Sequence, residues 1–209
     1  MPTTRLLLLR HAETASPDLF HGSESDIGLG DRGRRQALDV SRLLATYRPD
    51  ALACSAMRRA RETAGPIAEA CGLAIEVVPE LHERRMGGLS GQPKAEGWDD
   101  YIATIRRWEA GELDATIGTA ETYAEIRDRV VPALNGIVER HAGETVAVVA
   151  HGMVIRVALT SLLEGHTAAD FEEIAIENAA VNDIFVDGGL WRATRLNIAP
   201  DPAPSGRQA

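Results

Sequence analysis

The chain is short of cysteine. Only Cys54 and Cys71 occur in its 209 residues, and neither belongs to a Cys-x-x-Cys pair or a His/Cys cluster. A disulfide framework and a structural zinc site are therefore not indicated, and two buried free thiols in a reducing compartment are the expectation. Lysine is rarer still: Lys94 is the only one, and arginine supplies the rest of the basic charge. Basic residues are outnumbered by acidic ones, 22 against 31, for a net charge of -9. That balance argues against a nucleic-acid binder and against an anionic membrane surface as partner. It leaves room for a small anion, because a local arginine cluster dominates its own pocket. No apolar run approaches the length that spans a bilayer, and Leu6–Leu9 is far too short. No charged leader followed by an apolar segment and a cleavage site is visible, so a cytoplasmic location is expected.

Internal repeats and linkers are also missing. What remains is an ordinary globular composition, 44% apolar and 25% charged, long enough to bury a sizeable core. Apolar runs at Leu6–Leu9, Asp50–Cys54, "LAIEVV" and Glu144–Ala150 read as strands. They alternate with helical patterns at Asp31–Tyr47, "MRRARETAGPIAEACG", Trp98–Ala110, Glu121–His141 and "GMVIRVALTSLLEG". The segment "EEIAIENAAVNDIFVDGGLWRATRLNI" alternates in polarity, and its "DGG" is a hairpin signal. This order predicts an α/β fold: a three-layer α/β/α sandwich on a mostly parallel central sheet, with a C-terminal antiparallel hairpin. One domain over residues 1–199 and a disordered proline-rich tail over 200–209 are expected. Residues between Gly91 and Thr119 are expected to form a helical insertion over the active-site face.

Three segments share one design, a buried strand followed by polar residues. They are "LLLLRH", "LACSAMRRA" and "VAVVAHG". Ligands of open α/β sheets bind beyond the carboxyl ends of the strands. Parallel neighbours would therefore bring Arg10, His11, His151 and at least one of Arg58, Arg59 and Arg61 to one crevice. Arginine offers a planar donor fork matched to phosphate oxygens. A neutral imidazole can attack phosphorus and form a phosphohistidine. Arginines and a second histidine stabilise the equatorial oxygens, and the departing alkoxide needs a proton from a carboxylic acid.

With these residues in view, the chain resembles the histidine phosphatase superfamily, which includes cofactor-dependent phosphoglycerate mutase. "LLRHAET" resembles its Arg-His-Gly-Glu-Thr signature, with Ala12 in place of the usual glycine. "CSAMRRARETA", "LHERRMGGLSG" and "VVAHGMVIRVAL" resemble further motifs of the family, in order and at family-like spacing. The resemblance implies His11 as nucleophile, with Arg10, Arg59 and His151 around the phosphoryl group and Glu83 as general acid and base. It implies no metal and no cofactor. Thr14, His21, Gly22, Gly152 and Met153 would lie at the substrate. Lys94, Arg106 and Arg107 fall near positions that hold a substrate carboxylate in the mutases.

The implied activity is metal-independent hydrolysis of a small phosphomonoester, which the resemblance allows to carry a carboxylate. The mutase pattern is departed from in the loop after His11, at Met86 and at Met153, which favours the broad-specificity phosphatase branch. A phosphoglycerate mutase and a non-catalytic phosphate-binding module stand as alternatives. A homodimer is implied only at the level of the family.

Overall fold

The computed structural model describes residues 2–201. Of the expected tail, residues 202–209 lie outside the described residues. Six strands form one sheet: β1 (Thr4–Arg10), β2 (Ala51–Cys54), β3 (Ile75–Val77), β4 (Thr145–Ala150), β5 (Val181–Asp187) and β6 (Leu190–Ile198). Their order across the sheet is β3-β2-β4-β1-β5-β6. The pairs β1–β4, β2–β4 and β2–β3 are parallel, whereas β5 runs antiparallel to both β1 and β6. The sheet is thus mixed, with the antiparallel hairpin on one side of a parallel half.

The four consecutive leucines of β1 follow from helices on both faces. Leu6 and Leu8 enter one core with α4 (Tyr123–Arg140) and α5 (Gly152–Leu162). Leu7 and Leu9 enter the other with α1 (Asp31–Tyr47) and α2 (Arg58–Cys71). Successive side chains of a strand point to opposite faces, so a strand covered on both sides reads as an uninterrupted apolar run. Each of these leucines is essentially inaccessible, a burial of about 1.5–3 kcal/mol per side chain.

Helix boundaries follow local chemistry. At α4 the Thr122 hydroxyl accepts from the Glu125 amide, and the Glu125 carboxylate accepts from the Thr122 amide. This capping box starts the helix two residues after the expected Glu121. Helix α3 (Lys94–Glu109) begins four residues before the expected Trp98, directly after Pro93. The alternating stretch beginning at Glu172 does not become strand until Val181. Residues 174–179 instead run as irregular chain along the end of β1. Ala179 holds a left-handed backbone, φ 60°, and its amide donates to the Arg10 carbonyl. Cys54 is buried as expected, but Cys71 is half-exposed near the end of α2; both thiols are free. Among the described residues, no helix is long and apolar enough to cross a membrane.

Candidate active site

The site grows out of strand register. Strands β1 and β4 pair in parallel with Arg10 opposite Ala150. Each strand is followed immediately by a histidine, so His11 and His151 emerge side by side. The His11 amide continues the ladder to the Ala150 carbonyl, and the Ser55 amide, just past β2, continues it to the Val149 carbonyl. The two imidazole centroids lie 5.0 Å apart. Three parallel strands therefore deliver His11, His151 and Ser55 to one level of the sheet.

His11 is almost fully buried. Its Nδ1–H donates to its neighbour's carbonyl, Ala12 O, at 2.8 Å. That bond fixes the tautomer and leaves the Nε2 lone pair free. Burial, then the charges of Arg59 and Arg10, hold the His11 imidazole well below its usual pKa. Burial, Arg59, His11 and Arg10 do the same to His151. Both rings are neutral without an anion beside them.

Two arginines are held by backbone carbonyls, with no carboxylate among their hydrogen-bond partners. Arg10 Nη1 donates to Ile176 O at 2.9 Å. Arg59 is completely buried; its Nη1 donates to Ser25 O at 2.8 Å, and its Nη2 reaches the His21 and Gly22 carbonyls at 3.4 Å. Arg10 Nε, Arg59 Nε and His151 Nδ1 are all buried with no protein partner. Unsatisfied buried donors are rare and costly, and these three surround His11. Gly152 makes part of this arrangement possible: a Cβ there would stand 3.2 Å from Arg10 Nε.

The cavity in front of these groups has a volume of about 280 Å³. Arg10, His11, Arg59 and Glu83 line it, as do the expected substrate residues Thr14, His21, Lys94, Gly152 and Met153. His151 is buried at its inner end against His11. Glu83 is oriented by two amides: Oε1 accepts from Arg84 N at 2.9 Å, and Oε2 from Met153 N at 3.5 Å. His21 bridges Ser16 O and Ser25 Oγ within the loop that folds over the cavity. Lys94 donates to Pro17 O at 2.6 Å and ties that loop to α3.

Three expectations are corrected. Gly22 is not on the cavity wall; its carbonyl faces Arg59, and a Cβ there would meet Arg84 O at 2.8 Å. Arg106 and Arg107 do not line the cavity either. Both are exposed, and Arg107 pairs with Glu112 at 2.7 Å. The face of α3 that reaches the cavity carries Lys94, Trp98 and Tyr101, spaced four and three residues apart, and the two arginines fall off it. Ser55, just past β2, lies with its Oγ 2.9 Å from His151 Nε2.

Sequence reasoning missed Tyr101, Arg156 and Asn178, all of which line the cavity. Asn178 Nδ2 donates to His11 O at 2.9 Å. No local signal marks Asn178. Arg156 was findable, because it stands one helical turn after Gly152 in α5 and so shares its face.

The profile of the histidine phosphatase superfamily (branch 1) matches residues 6–199. The chain belongs to this superfamily. A metal-independent phosphoserine phosphatase of Arabidopsis thaliana is 32% identical over 194 residues, covering 90% of this chain and 79% of that protein. The Arabidopsis phosphoglycerate mutase-like protein 4 is 31% identical over 191 residues, covering 89% and 81%. A mycobacterial glucosyl-3-phosphoglycerate phosphatase, solved with VO3, superposes with a TM-score of 0.81 at 26% identity, covering 93% of this chain and 98% of that one. Family membership and a phosphatase relative at this identity identify the chain as a phosphatase. Within this histidine phosphatase, the cavity is the place where phosphate chemistry fits.

Proposed function

We propose that the protein hydrolyses a small phosphomonoester through a covalent phosphohistidine on His11, without a metal. The observation that carries this reading is the convergence of three unpartnered buried donors, Arg10 Nε, Arg59 Nε and His151 Nδ1, around an imidazole whose Nε2 is free. A phosphoryl dianion satisfies these donors and is balanced by the two guanidinium charges. It also restores a reason for His151 to hold a proton, since an anion alongside favours the charged imidazole.

His11 Nε2 attacks phosphorus in line while the ester bond breaks, and Glu83 gives a proton to the departing oxygen. Water then attacks the phosphohistidine with Glu83 accepting its proton, and the Nε2–phosphorus bond breaks to release inorganic phosphate. Charge redistributing onto the phosphoryl oxygens meets fixed donors. No further group is needed to balance the two steps. The names of the Arabidopsis relative and of the mycobacterial phosphatase support small phosphorylated acids as the substrate class, with phosphoserine and phosphoglycerate esters the first to test.

The test is phosphate release from a panel of phosphomonoesters in EDTA, comparing wild type with His11→Ala. Turnover by wild type alone, together with acid-labile phosphate trapped on the protein, is expected. Activity that survives His11→Ala, or that EDTA removes, overturns the mechanism. Isomerisation of 3-phosphoglycerate with a bisphosphoglycerate primer, in place of hydrolysis, would assign the protein to the mutase alternative.

A further inference from the structure

Beyond the groups used above, the cavity wall carries a guanidinium whose two terminal nitrogens are not consumed. Arg156 Nε donates to Ile174 O at 2.9 Å, and its guanidinium carbon lies 5.6 Å from the Phe171 ring centroid. These two contacts hold the guanidinium in one orientation. Its Nη1 and Nη2 groups have no hydrogen-bond partner among the described residues, and the residue lines the cavity. Tyr101, from α3, lines the same cavity. Its ring packs against Phe20 and Trp98 at 5.5 and 5.4 Å, and its hydroxyl makes no hydrogen bond to the described residues. Burial raises the Tyr101 pKa, so the hydroxyl remains a donor.

We propose that Arg156 and Tyr101 form a second anion subsite, which binds the carboxylate of the phosphorylated substrate and selects acids over otherwise identical neutral or aminated esters. This rests on the phosphatase reading and names the residues that set its specificity. The charges decide the ligand class. Arg10 and Arg59 together balance a phosphoryl dianion. Glu13 on the same wall is tied to Arg32 at 2.9 Å, and Lys94 is engaged with Pro17 O. Lys94 keeps its charge but is a point donor turned to a carbonyl, whereas Arg156 offers a free planar fork, which matches a carboxylate in shape.

Spacing agrees. The Arg10 guanidinium lies against Gly152, and Arg156 follows Gly152 by four residues on the same helix face. One helical turn, about 5.4 Å, is of the order spanned by the four bonds from phosphorus to carboxyl carbon in a three-carbon phosphorylated acid. A cavity of about 280 Å³ has room for such a molecule.

The experiment measures kcat/KM for O-phosphoserine against phosphoethanolamine, which differ only by the carboxylate, and for 3-phosphoglycerate against glycerol 3-phosphate. Wild type is expected to favour the acid by about tenfold to a hundredfold in each pair, the range for charge-assisted hydrogen bonds. Arg156→Met should collapse that ratio, chiefly by raising KM for the acid. Arg156→Lys keeps the charge without the fork, and should recover part of the ratio even if the methionine variant folds poorly. Tyr101→Phe should lower the ratio by several-fold.

Equal rates within each pair for wild type, or a ratio that survives Arg156→Met and Arg156→Lys unchanged, overturns the subsite. Absence of turnover of every ester by wild type instead overturns the phosphatase reading, and the two failures are thereby told apart.

Discussion

Ser55 Oγ lies 2.9 Å from His151 Nε2, each residue one step beyond the end of a parallel strand. The hydroxyl also accepts from the Met57 amide at 3.3 Å, so its own hydrogen is free to go to Nε2. The proton of neutral His151 then resides on Nδ1, the atom that is buried without a protein partner. Ser55 thus selects the tautomer that leaves Nδ1 as a donor for the phosphoryl group of the proposed mechanism. Ser55→Ala is expected to lower kcat by about tenfold, the value of one lost buried hydrogen bond, and to move the acid limb of the kcat profile. A lower melting temperature with an unchanged pH profile would mean that Ser55 only packs.

The two histidines also make stability depend on pH. Both folded-state pKa values lie well below the ordinary 6.5, first through burial and then through the neighbouring arginines. Above pH 6.5 both states hold these rings neutral, and the fold suffers nothing from them. Below it the unfolded chain takes up protons that the folded chain refuses, so stability falls as pH drops from 6.5 toward the folded values. Thermal melts from pH 8 to pH 5 should show this loss. His11→Asn and His151→Asn should each flatten it, and inorganic phosphate should offset it by supplying the anion that lets the folded rings be charged. A wild-type slope identical to that of the double variant would refute the assignment.

The parallel half of the fold and the residues at its strand ends were legible because one physical rule governs both. A strand covered on two faces must be apolar throughout, so the first polar residues after Leu9 and Ala150 mark where the chain leaves the core. Asp31–Tyr47 was legible from its helical period, and it matches α1. The rest of the site depends on relations that no single segment records. Asn178 reaches the His11 carbonyl only because β5 lies antiparallel beside β1. Residues 172–180 alternate like a strand, yet they bond sideways to Arg10 and His11 rather than along a ladder. Arg106 and Arg107 looked suited to an anion, but the buried Ile105 and Trp108 decide which way α3 rolls.

Stability and catalysis meet at Arg129. Its guanidinium forms a two-point pair with Glu121, Nε to Oε1 at 2.9 Å and Nη2 to Oε2 at 3.0 Å. Its Nη1 donates to the Glu80 and His82 carbonyls at 2.6 and 2.8 Å. Both side chains are mostly covered, 16% and 6% exposed. Arg129 therefore clamps the segment that ends in Glu83 onto α4. Arg129→Met strands a buried carboxylate and two carbonyl acceptors, and should destabilise the fold by about 2–4 kcal/mol. At a temperature where the variant is folded, kcat should still fall, because Glu83 loses its support. Chemical denaturation and steady-state kinetics on the same preparation check both parts. A stable variant with full kcat would remove Arg129 from the account.

The proposed role of Glu83 as proton donor has a sharper test than loss of activity. Glu83 is held by the Arg84 and Met153 amides at the cavity wall, and Gln is close to it in shape, so Glu83→Gln changes the proton more than the packing. A departing alkoxide is a poor leaving group and needs protonation; p-nitrophenolate is a good one and needs little. Glu83→Gln should therefore lower kcat/KM, which reports the phosphorylation step, by about a hundredfold or more for alkyl phosphates, within the usual range for a general acid, and far less for p-nitrophenyl phosphate. The retained aryl activity should still form phosphohistidine, because His11 attack does not use the Glu83 proton when the leaving group departs unaided. In the proposed mechanism hydrolysis of that intermediate uses Glu83 as a base, so the variant should accumulate it, visible as a burst of p-nitrophenolate followed by a slow steady state. Equal losses on both ester classes with no burst would show that Glu83 shapes the cavity rather than moving protons, and another acid on its wall would have to take the role.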